Sequence, residues 1–468
     1  MLKSLFKKKE TVDMTEGNIL SHLITFAIPL LIGNLFQQLY NMVDTWVVGN
    51  FASNEAFAAV GSLGPAVNMV IGFFIGLSSG AGIVVSQYYG AGKHDKVKET
   101  VHTAALLTII CSVIMTVAGL LLIPYILEMM NTPKEVWPEA EAYLIVYFSG
   151  VTGLVIYNIG SGILRAVGDS QRPLYFLIVT TVLNTVLDLI LVKPFGEMGN
   201  AAAGVALATI IAQGVSAILV IGTLMRTKTS IRLIPKELKI NTKILLKIFK
   251  VGVPSGLQML VTSFSNVFVQ SYINNFNADY MSGWTAYNKL DAILFLPMQS
   301  FGLSATTFVG QNLGKNQIKR ARKGSNIALL AAAVTTGVLM IPIVTFPEAL
   351  VAFFNNKKEV VEIGAMLLRY VTPFYILCTV NQVYSAALRG SGNSRTPMII
   401  MLSSFVAFRQ IYLFFMTKWF PDDFLIVALS YPAGWILCSL LTFIYYKVTP
   451  LKSKLMDADE MGKGNESE

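Results

Sequence analysis

Two aspartates lie inside long apolar stretches of the chain. Asp188 stands near the middle of TTVLNTVLDLILV, residues 180–192, and Asp44 occurs in QLYNMVDTWVV. A carboxylate at the centre of a membrane helix costs roughly 2.5–3.5 kcal/mol on insertion scales, so we expect it to face a cavity or a partner and to act there. Burial without a basic neighbour favours the neutral form, which lets such a group bind and release a proton.

Asn184 lies four residues before Asp188 and therefore on the same helix face. The two side chains can offer converging oxygen atoms to a proton, a water molecule or Na⁺, because hard cations prefer oxygen ligands. These spacings predict a cation-coupling site, with bound Na⁺ as one form of it, at Asp44, Asn184 and Asp188. Asn41 is a further polar candidate beside Asp44. The alternative for both aspartates is a structural hydrogen bond to a neighbouring helix.

Charged residues in the second half of the chain show a different balance. Lys289, Asp291, Arg369 and Arg409 lie within apolar stretches there, so cations outnumber acids. Lys289 and Asp291 are two residues apart and do not face each other on a helix. Coupling by carboxylates is therefore assigned to the first half, and structural pairing is an equal alternative for these four residues. The residues expected to line a substrate cleft are Tyr40, Trp46, Phe73, Asn158, Lys289 and Asp291.

The elements that carry these residues are membrane spans. The 468 residues are 54% hydrophobic and 13% charged, and the apolar residues form long uninterrupted runs. Runs of about 20 apolar residues cross a hydrocarbon core as helices. An all-α polytopic membrane protein with twelve transmembrane helices is predicted. Its spans are centred on 19–44, 56–88, 98–126, 139–162, 173–193, 200–225, 244–273, 281–309, 325–347, 359–388, 396–418 and 424–446.

The distribution of basic residues indicates topology. Of the 36 Lys and Arg residues, 28 fall in the tails and alternate connections and five in the opposite connections. By the positive-inside rule both termini are cytoplasmic, and we expect a multi-pass protein of the plasma membrane. The net charge of +9 then reflects contacts with anionic lipid head groups and argues against nucleic acid as a partner. The start MLKSLFKKKE lacks the apolar core of a cleavable signal, so the first span is expected to be retained.

An internal repeat defines the organisation. LRAVGDSQRP at 164–173 recurs as LRGSGNSRTP at 388–397, and Pro29 matches Pro254. The chain is predicted to consist of two six-helix lobes related by a pseudo-two-fold axis along the membrane normal, because an even number of spans returns the chain to its starting side. The expected segments are a tail at 1–18, an N-lobe at 19–225, a linker at 226–243, a C-lobe at 244–447 and a tail at 448–468.

Two lobes around a cleft form a transporter design, in which rocking exposes the cleft to each face in turn. Pro29 interrupts the hydrogen-bond ladder of the first span fifteen residues before Asp44, so it is predicted to be a hinge. Gly72, Gly76 and Gly80 recur at four-residue spacing, which predicts close packing against another helix.

These features resemble the multidrug and toxic compound extrusion (MATE) family. The resemblance rests on SQYYGAGK after the second span, LRAVGDSQRP and LRGSGNSRTP after the fourth and tenth, and IPLLIGNLFQQLYNMVDTWVVG in the first. It runs from about residue 15 to 447 and implies a secondary antiporter that exports organic cations in exchange for H⁺ or Na⁺, without a cofactor. We expect it to act as a monomer on small-molecule substrates.

The resemblance also implies site residues. In the family branch with an acidic N-terminal lobe, the cation site corresponds to Asp44, Asn184 and Asp188, with Pro29 as the kinking proline and Thr209 as a weaker match in the sixth span. The seventh span, GVPSGLQMLVTSFSNVFVQSYINNF, has no acid, so a second Na⁺ site of the kind found in another branch is not expected.

Two alternatives remain at this stage besides the antiporter. A lipid-linked oligosaccharide flippase of similar build would need a cleft dominated by cations, and Lys289, Arg369 and Arg409 keep it open. A receptor or scaffold is disfavoured because the segments outside the membrane are short. An enzyme is least favoured because no nucleophile, metal or nucleotide motif is present, including a P-loop.

Overall fold

The computed structural model describes residues 12–130, 132–457 and 460–462, without the side chains of residues 41, 64–66 and 68–70. Regular structure in these residues is entirely helical. Eleven helical segments of the described residues, some of them made of consecutive shorter helices, are long and apolar enough to cross a membrane. A further pair of helices, bent by 47°, makes twelve spans when counted as one. The predicted all-α polytopic membrane protein is confirmed.

The helices of the first half are α1 Ile19–Phe51, α2 Asn54–Gly90, α3 His94–Met129, α4 Trp137–Ser149, α5 Val151–Ala166, α6 Gln171–Glu197 and α7 Ala201–Arg226. The bent pair consists of α4 and α5, which the sequence pattern predicted as one uninterrupted span. Gly150 separates them, and a Cβ there would lie 2.4 Å from the Ile210 Cβ. The break thus occurs where the chain passes too close to α7 for any side chain.

The second half contains α8 Thr242–Ile273, α9 Ala278–Gly314, α10 Ile318–Thr345, α11 Pro347–Ala352, α12 Lys358–Val371, α13 Tyr375–Gly390, α14 Arg395–Met401, α15 Arg409–Trp419, α16 Phe424–Ala428 and α17 Ser430–Val448. The segment Leu402–Phe408, between α14 and α15, is a π-helix. Short 3₁₀ turns occur at Pro235–Glu237 and Thr372–Phe374.

The chain forms two compact units. Unit 1 contains Ile32–Gly256 and the described residues 12–13, and unit 2 contains Met14–Leu31 and the described part of Leu257–Glu468. Both divisions fall inside long helices, α1 and α8, and each lies two residues after a proline, Pro29 or Pro254. The predicted segment boundaries, placed at the ends of spans, stay predictions.

The repeated loops adopt matching conformations in the two units. Gly168 and Gly392, which occupy equivalent repeat positions, have φ angles of +87° and +85°. Their N–H groups donate to the carbonyl oxygens of Arg165 and Arg389 at 3.0 and 2.8 Å. Because left-handed backbone is open chiefly to glycine, the glycine in each motif has a structural reason. The sequence repeat is therefore also a repeat of local backbone structure.

Two contacts within unit 1 fix the helices around the acidic residues. The carboxylate of Glu139 on α4 accepts hydrogen bonds from the N–H groups of Ala201 and Ala202 at 3.1 and 2.8 Å. A carboxylate at a helix N-terminus satisfies free N–H groups and complements the helix dipole. Glu139 therefore ties the beginning of α7 to α4, and α6 packs extensively along α7.

Candidate cation site

The centre of the candidate site is on α6 in unit 1. Asn184 and Asp188 lie one turn apart, and both side chains are completely buried, whereas most other residues of α6 are not. The amide orientation of Asn184 is assigned from its hydrogen-bonding partners. With its nitrogen facing the carboxyl groups, it donates to Asp44 Oδ1 at 2.9 Å and to Asp188 Oδ2 at 3.2 Å. One amide therefore bridges the two aspartates predicted from the sequence.

The two carboxyl groups are also direct neighbours. Asp44 and Asp188 interact electrostatically, and neither forms an ion pair with Lys or Arg within the described ranges. The Oδ1 atom of Asp188 is buried and has no hydrogen-bond partner among the described atoms. Like charges this close in an apolar setting strongly disfavour double ionisation. The pair therefore favours uptake of a cation.

Tyr40 and Thr209 adjoin this cluster. The Tyr40 hydroxyl donates to Thr209 Oγ1 at 2.9 Å, which joins α1 to α7. Tyr40 lies one helical turn before Asp44 and is in electrostatic contact with it. Thr209, which was only a weak match to the family site in the sequence, is thus connected to the acidic pair through the phenol of Tyr40. The side chain of Asn41 lies outside the described residues.

Two tyrosines of α4 belong to the same neighbourhood. Tyr143 and Tyr147 stack with ring centroids 5.8 Å apart, and both phenols interact electrostatically with Asp44. Neither tyrosine was predicted from the sequence as a site residue. Their four-residue spacing on one helix face was the available signal, but no pattern within α4 indicates that the face meets Asp44.

Three of the predicted cleft residues, Trp46, Phe73 and Asn158, have other contacts in the structure. Trp46 is 56% exposed and makes an edge contact with Phe51. Phe73 packs against the backbone of Gly256. Asn158 donates to the Leu154 carbonyl of its own helix at 2.9 Å. A substrate-binding role for these residues stays a prediction.

The charged residues of unit 2 have separate environments. Asp291 accepts a hydrogen bond from the Tyr287 hydroxyl at 3.2 Å, whereas Lys289 is exposed. Arg369 pairs with Glu348 at 2.5 Å. Arg409 is buried and hydrogen-bonds to other side chains of the unit. Each cation therefore has its own surroundings, and their contacts do not define the shared cationic surface that a flippase would need.

Oxygen-rich chemistry makes the acidic pair suitable for a small hard cation. Asp44 and Asp188 supply carboxylate oxygens, and rotation of the Asn184 amide would present its oxygen in place of its nitrogen. This donor set suits a proton or Na⁺, whereas transition metals prefer nitrogen and sulfur ligands. The described residues contain no group of three or more His, Cys, Asp or Glu side chains arranged for a metal ion.

Comparison with known proteins identifies the family of the chain. The MatE family model matches residues 29–190 and 254–413. The probable multidrug resistance protein YpnP of Bacillus subtilis is 29% identical over 93% of this chain and 96% of its own length. The probable multidrug resistance protein NorM of Thermotoga maritima is 28% identical over 95% and 96%, respectively.

A solved structure supports the fold independently. A transporter of the MOP superfamily from Pyrococcus furiosus has a TM-score of 0.87 at 21% identity, covering 94% of this chain and 98% of that chain. The family match extends over more than half of the chain, and its two segments each contain one copy of the internal repeat. The chain belongs to the MatE family of membrane transporters.

Proposed function

We propose that the protein is a secondary antiporter that exports organic cations, including drugs, in exchange for H⁺ or Na⁺. The observation that carries this proposal is the group of Asp44, Asn184 and Asp188, in which Asn184 and Asp188 are buried. Neither carboxyl group forms an ion pair with a basic residue in the described part of the chain. The relatives named as multidrug resistance proteins support the substrate class. We further propose that it acts in the plasma membrane with both termini cytoplasmic, as a monomer in contact with anionic lipids and without a cofactor.

The coupling follows from charge. When the pair is ionised, it attracts a lipophilic cation to its surroundings, and the Tyr40, Tyr143 and Tyr147 rings offer faces for cation–π contact. Binding of H⁺ or Na⁺ from outside removes the negative charge and the attraction. The substrate is then released outward, and loss of the small cation to the inside restores the pair.

The membrane potential contributes to this exchange when more positive charge enters with H⁺ or Na⁺ than leaves with the substrate. Inward movement of one net charge gains about 2.3 kcal/mol per 100 mV of membrane potential, which corresponds to roughly a 40-fold concentration ratio at about 1.4 kcal/mol per factor of ten. A small-cation gradient adds to this ratio. Export therefore needs no nucleotide hydrolysis.

The proposal is tested with purified full-length protein in liposomes and the fluorescent cation rhodamine 6G. A pH gradient is imposed with Na⁺ absent, and a Na⁺ gradient is then imposed at equal pH. We expect one gradient to drive dye movement above the rate of protein-free vesicles, and the effective gradient identifies the coupling ion. Dye movement driven by neither gradient would contradict antiport.

We expect Pro29→Ala to slow gradient-driven transport several-fold without unfolding the protein. Proline lacks the N–H that completes the helical ladder, and alanine restores it, which favours a straight α1 over a bent one. Pro124→Ala removes an exposed proline from α3 and serves as the matched control. Wild-type transport rates for Pro29→Ala would show that bending at Pro29 is not part of the cycle.

A further inference from the structure

Among the described residues of unit 2, Arg409 is the most deeply buried charged residue, and the proposed cation exchange does not use it. Its side chain is 3% exposed, and it begins α15 directly after the π-helix Leu402–Phe408. It lies fourteen residues from the Arg395 end and ten from the Trp419 end of the same span, roughly 20 and 15 Å along a helix. At this depth lipid head groups do not reach it.

The guanidinium group is held by neutral partners. Nη2 donates to Ser265 Oγ at 2.7 Å and to Asn266 Oδ1 at 2.9 Å. Ser265 Oγ in turn donates to the carbonyl oxygen of Phe405, within the π-helix, at 2.8 Å. The Tyr431 ring covers one face, with its centroid 4.8 Å from Cζ. These contacts fix the orientation of the group but do not neutralise its charge.

Part of the donor capacity of Arg409 remains unused. An arginine carries five N–H donors, and both side-chain hydrogen bonds that Arg409 donates start from Nη2. Nε is buried and has no partner among the described atoms, and Arg409 forms no ion pair with any described carboxylate. A buried, uncompensated charge in a membrane span is costly, so a transient anionic partner would recover part of that cost.

The π-helix provides independent support. Such segments are rare and often mark functional sites, because the extra residue per turn releases carbonyl groups from the regular ladder. Here the Phe405 carbonyl accepts from the serine that positions Arg409. The irregular backbone and the buried cation are thus parts of one arrangement.

We propose that Arg409 forms a subsite for a carboxylate carried by the transported compound. The inference rests on the proposed function. It specifies zwitterions, which combine a basic or cationic group with a carboxylate, as members of the substrate class. A planar guanidinium with free donors recognises a carboxylate by charge-assisted hydrogen bonds. Ser265 is a positioning residue because it orients Nη2.

Two dyes that differ only at the carboxyl group test this subsite. Rhodamine 6G is an ethyl ester, and rhodamine 19 is the same dye with a free carboxylate. Binding to purified full-length protein in detergent is measured by fluorescence anisotropy. We expect Arg409→Gln to weaken rhodamine 19 binding by about 10- to 100-fold, the range for a hydrogen bond to a charged group, and to change rhodamine 6G binding by less than twofold. Arg369→Gln, at an exposed arginine of the same unit, should change neither.

Ser265→Ala provides a second test if Arg409→Gln does not fold. It should lower the affinity for rhodamine 19 relative to rhodamine 6G, because the guanidinium loses its orientation. An unchanged acid-to-ester affinity ratio in a folded variant would overturn the subsite while leaving cation export intact. Absence of rhodamine 6G transport by the wild type in liposomes would instead count against the proposed function.

Discussion

Replacing Asp188 by Asn is expected to reduce gradient-driven transport of rhodamine 6G to the rate of protein-free liposomes. The substitution removes a group that can be ionised and leaves the shape of the side chain nearly unchanged. A ligand shifts a conformational equilibrium only when its affinity differs between the two states. Without the Asp188 carboxylate, the coupling cation has only one of its two acidic ligands. Much of the difference in its affinity for the two conformational states is then lost.

Folding should survive this substitution. Asp188 Oδ2 accepts from Asn184 in the orientation described above, and the oxygen of an introduced asparagine can accept in the same way. The remaining atom replaces Asp188 Oδ1, which is already buried without a partner among the described atoms. We therefore expect the melting temperature in detergent to stay close to that of the wild type.

A matched control separates the loss of this carboxylate from the loss of any carboxylate. Glu128→Gln removes an exposed acid at the end of α3 in the same unit, and transport should be unaffected. Asp44→Asn should reproduce the defect of Asp188→Asn. Gradient-driven transport at the wild-type rate in Asp188→Asn would show that the acidic pair is structural.

The helices, and the position of Asn184 and Asp188 on one helix face, could be predicted because their signals are local. Long apolar runs identified the spans, and one helical turn between Asn184 and Asp188 placed both on one face. The repeat motifs predicted equivalent loops, which the matching φ angles of Gly168 and Gly392 bear out. Each of these inferences depends on residues that are close together in the sequence.

Contacts between distant segments could not be predicted in the same way. Tyr40 and Thr209 are 169 residues apart, and Arg409 and Ser265 are 144 apart. Periodicity shows which face of a helix is polar, but it carries no information about the helix that faces it. The break at Gly150 also depends on the approach of α7, so the apolar pattern of α4 and α5 appears continuous.

The glycines of α2 are another case in which the sequence predicted a contact but not the helix that makes it. Their four-residue spacing predicted close packing against another helix, and in the structure that helix is α8. An added Cβ at Gly76 would lie 2.2 Å from the Gly256 backbone nitrogen and 2.7 Å from the Ser255 carbonyl carbon. At Gly80 it would lie 2.5 Å from the Ile248 carbonyl oxygen. Close packing is thus confirmed at Gly76 and Gly80, where the two backbones touch.

We expect Gly76→Ala to destabilise unit 1 by about 3 kcal/mol or more, the upper range for overpacking. The atoms that clash belong to backbone, so relief requires displacement of α8 rather than rotation of a side chain. Alanine is favoured over glycine in a helix by up to about 1 kcal/mol, which is too small to offset the clash. For a unit of this size the expected fall in melting temperature is roughly 6–12 °C.

Gly222→Ala is the matched control because a Cβ at that position of α7 meets nothing within 4 Å. It should leave the melting temperature unchanged or raise it slightly through helix propensity. Gly256→Ala clashes from the opposite side, where its Cβ would lie 2.6 Å from the Phe73 carbonyl oxygen. One displacement of α8 relieves both clashes, so the double variant should lose less stability than the two single losses combined. A Gly76→Ala protein that melts like Gly222→Ala would show that α2 and α8 separate readily at this crossing.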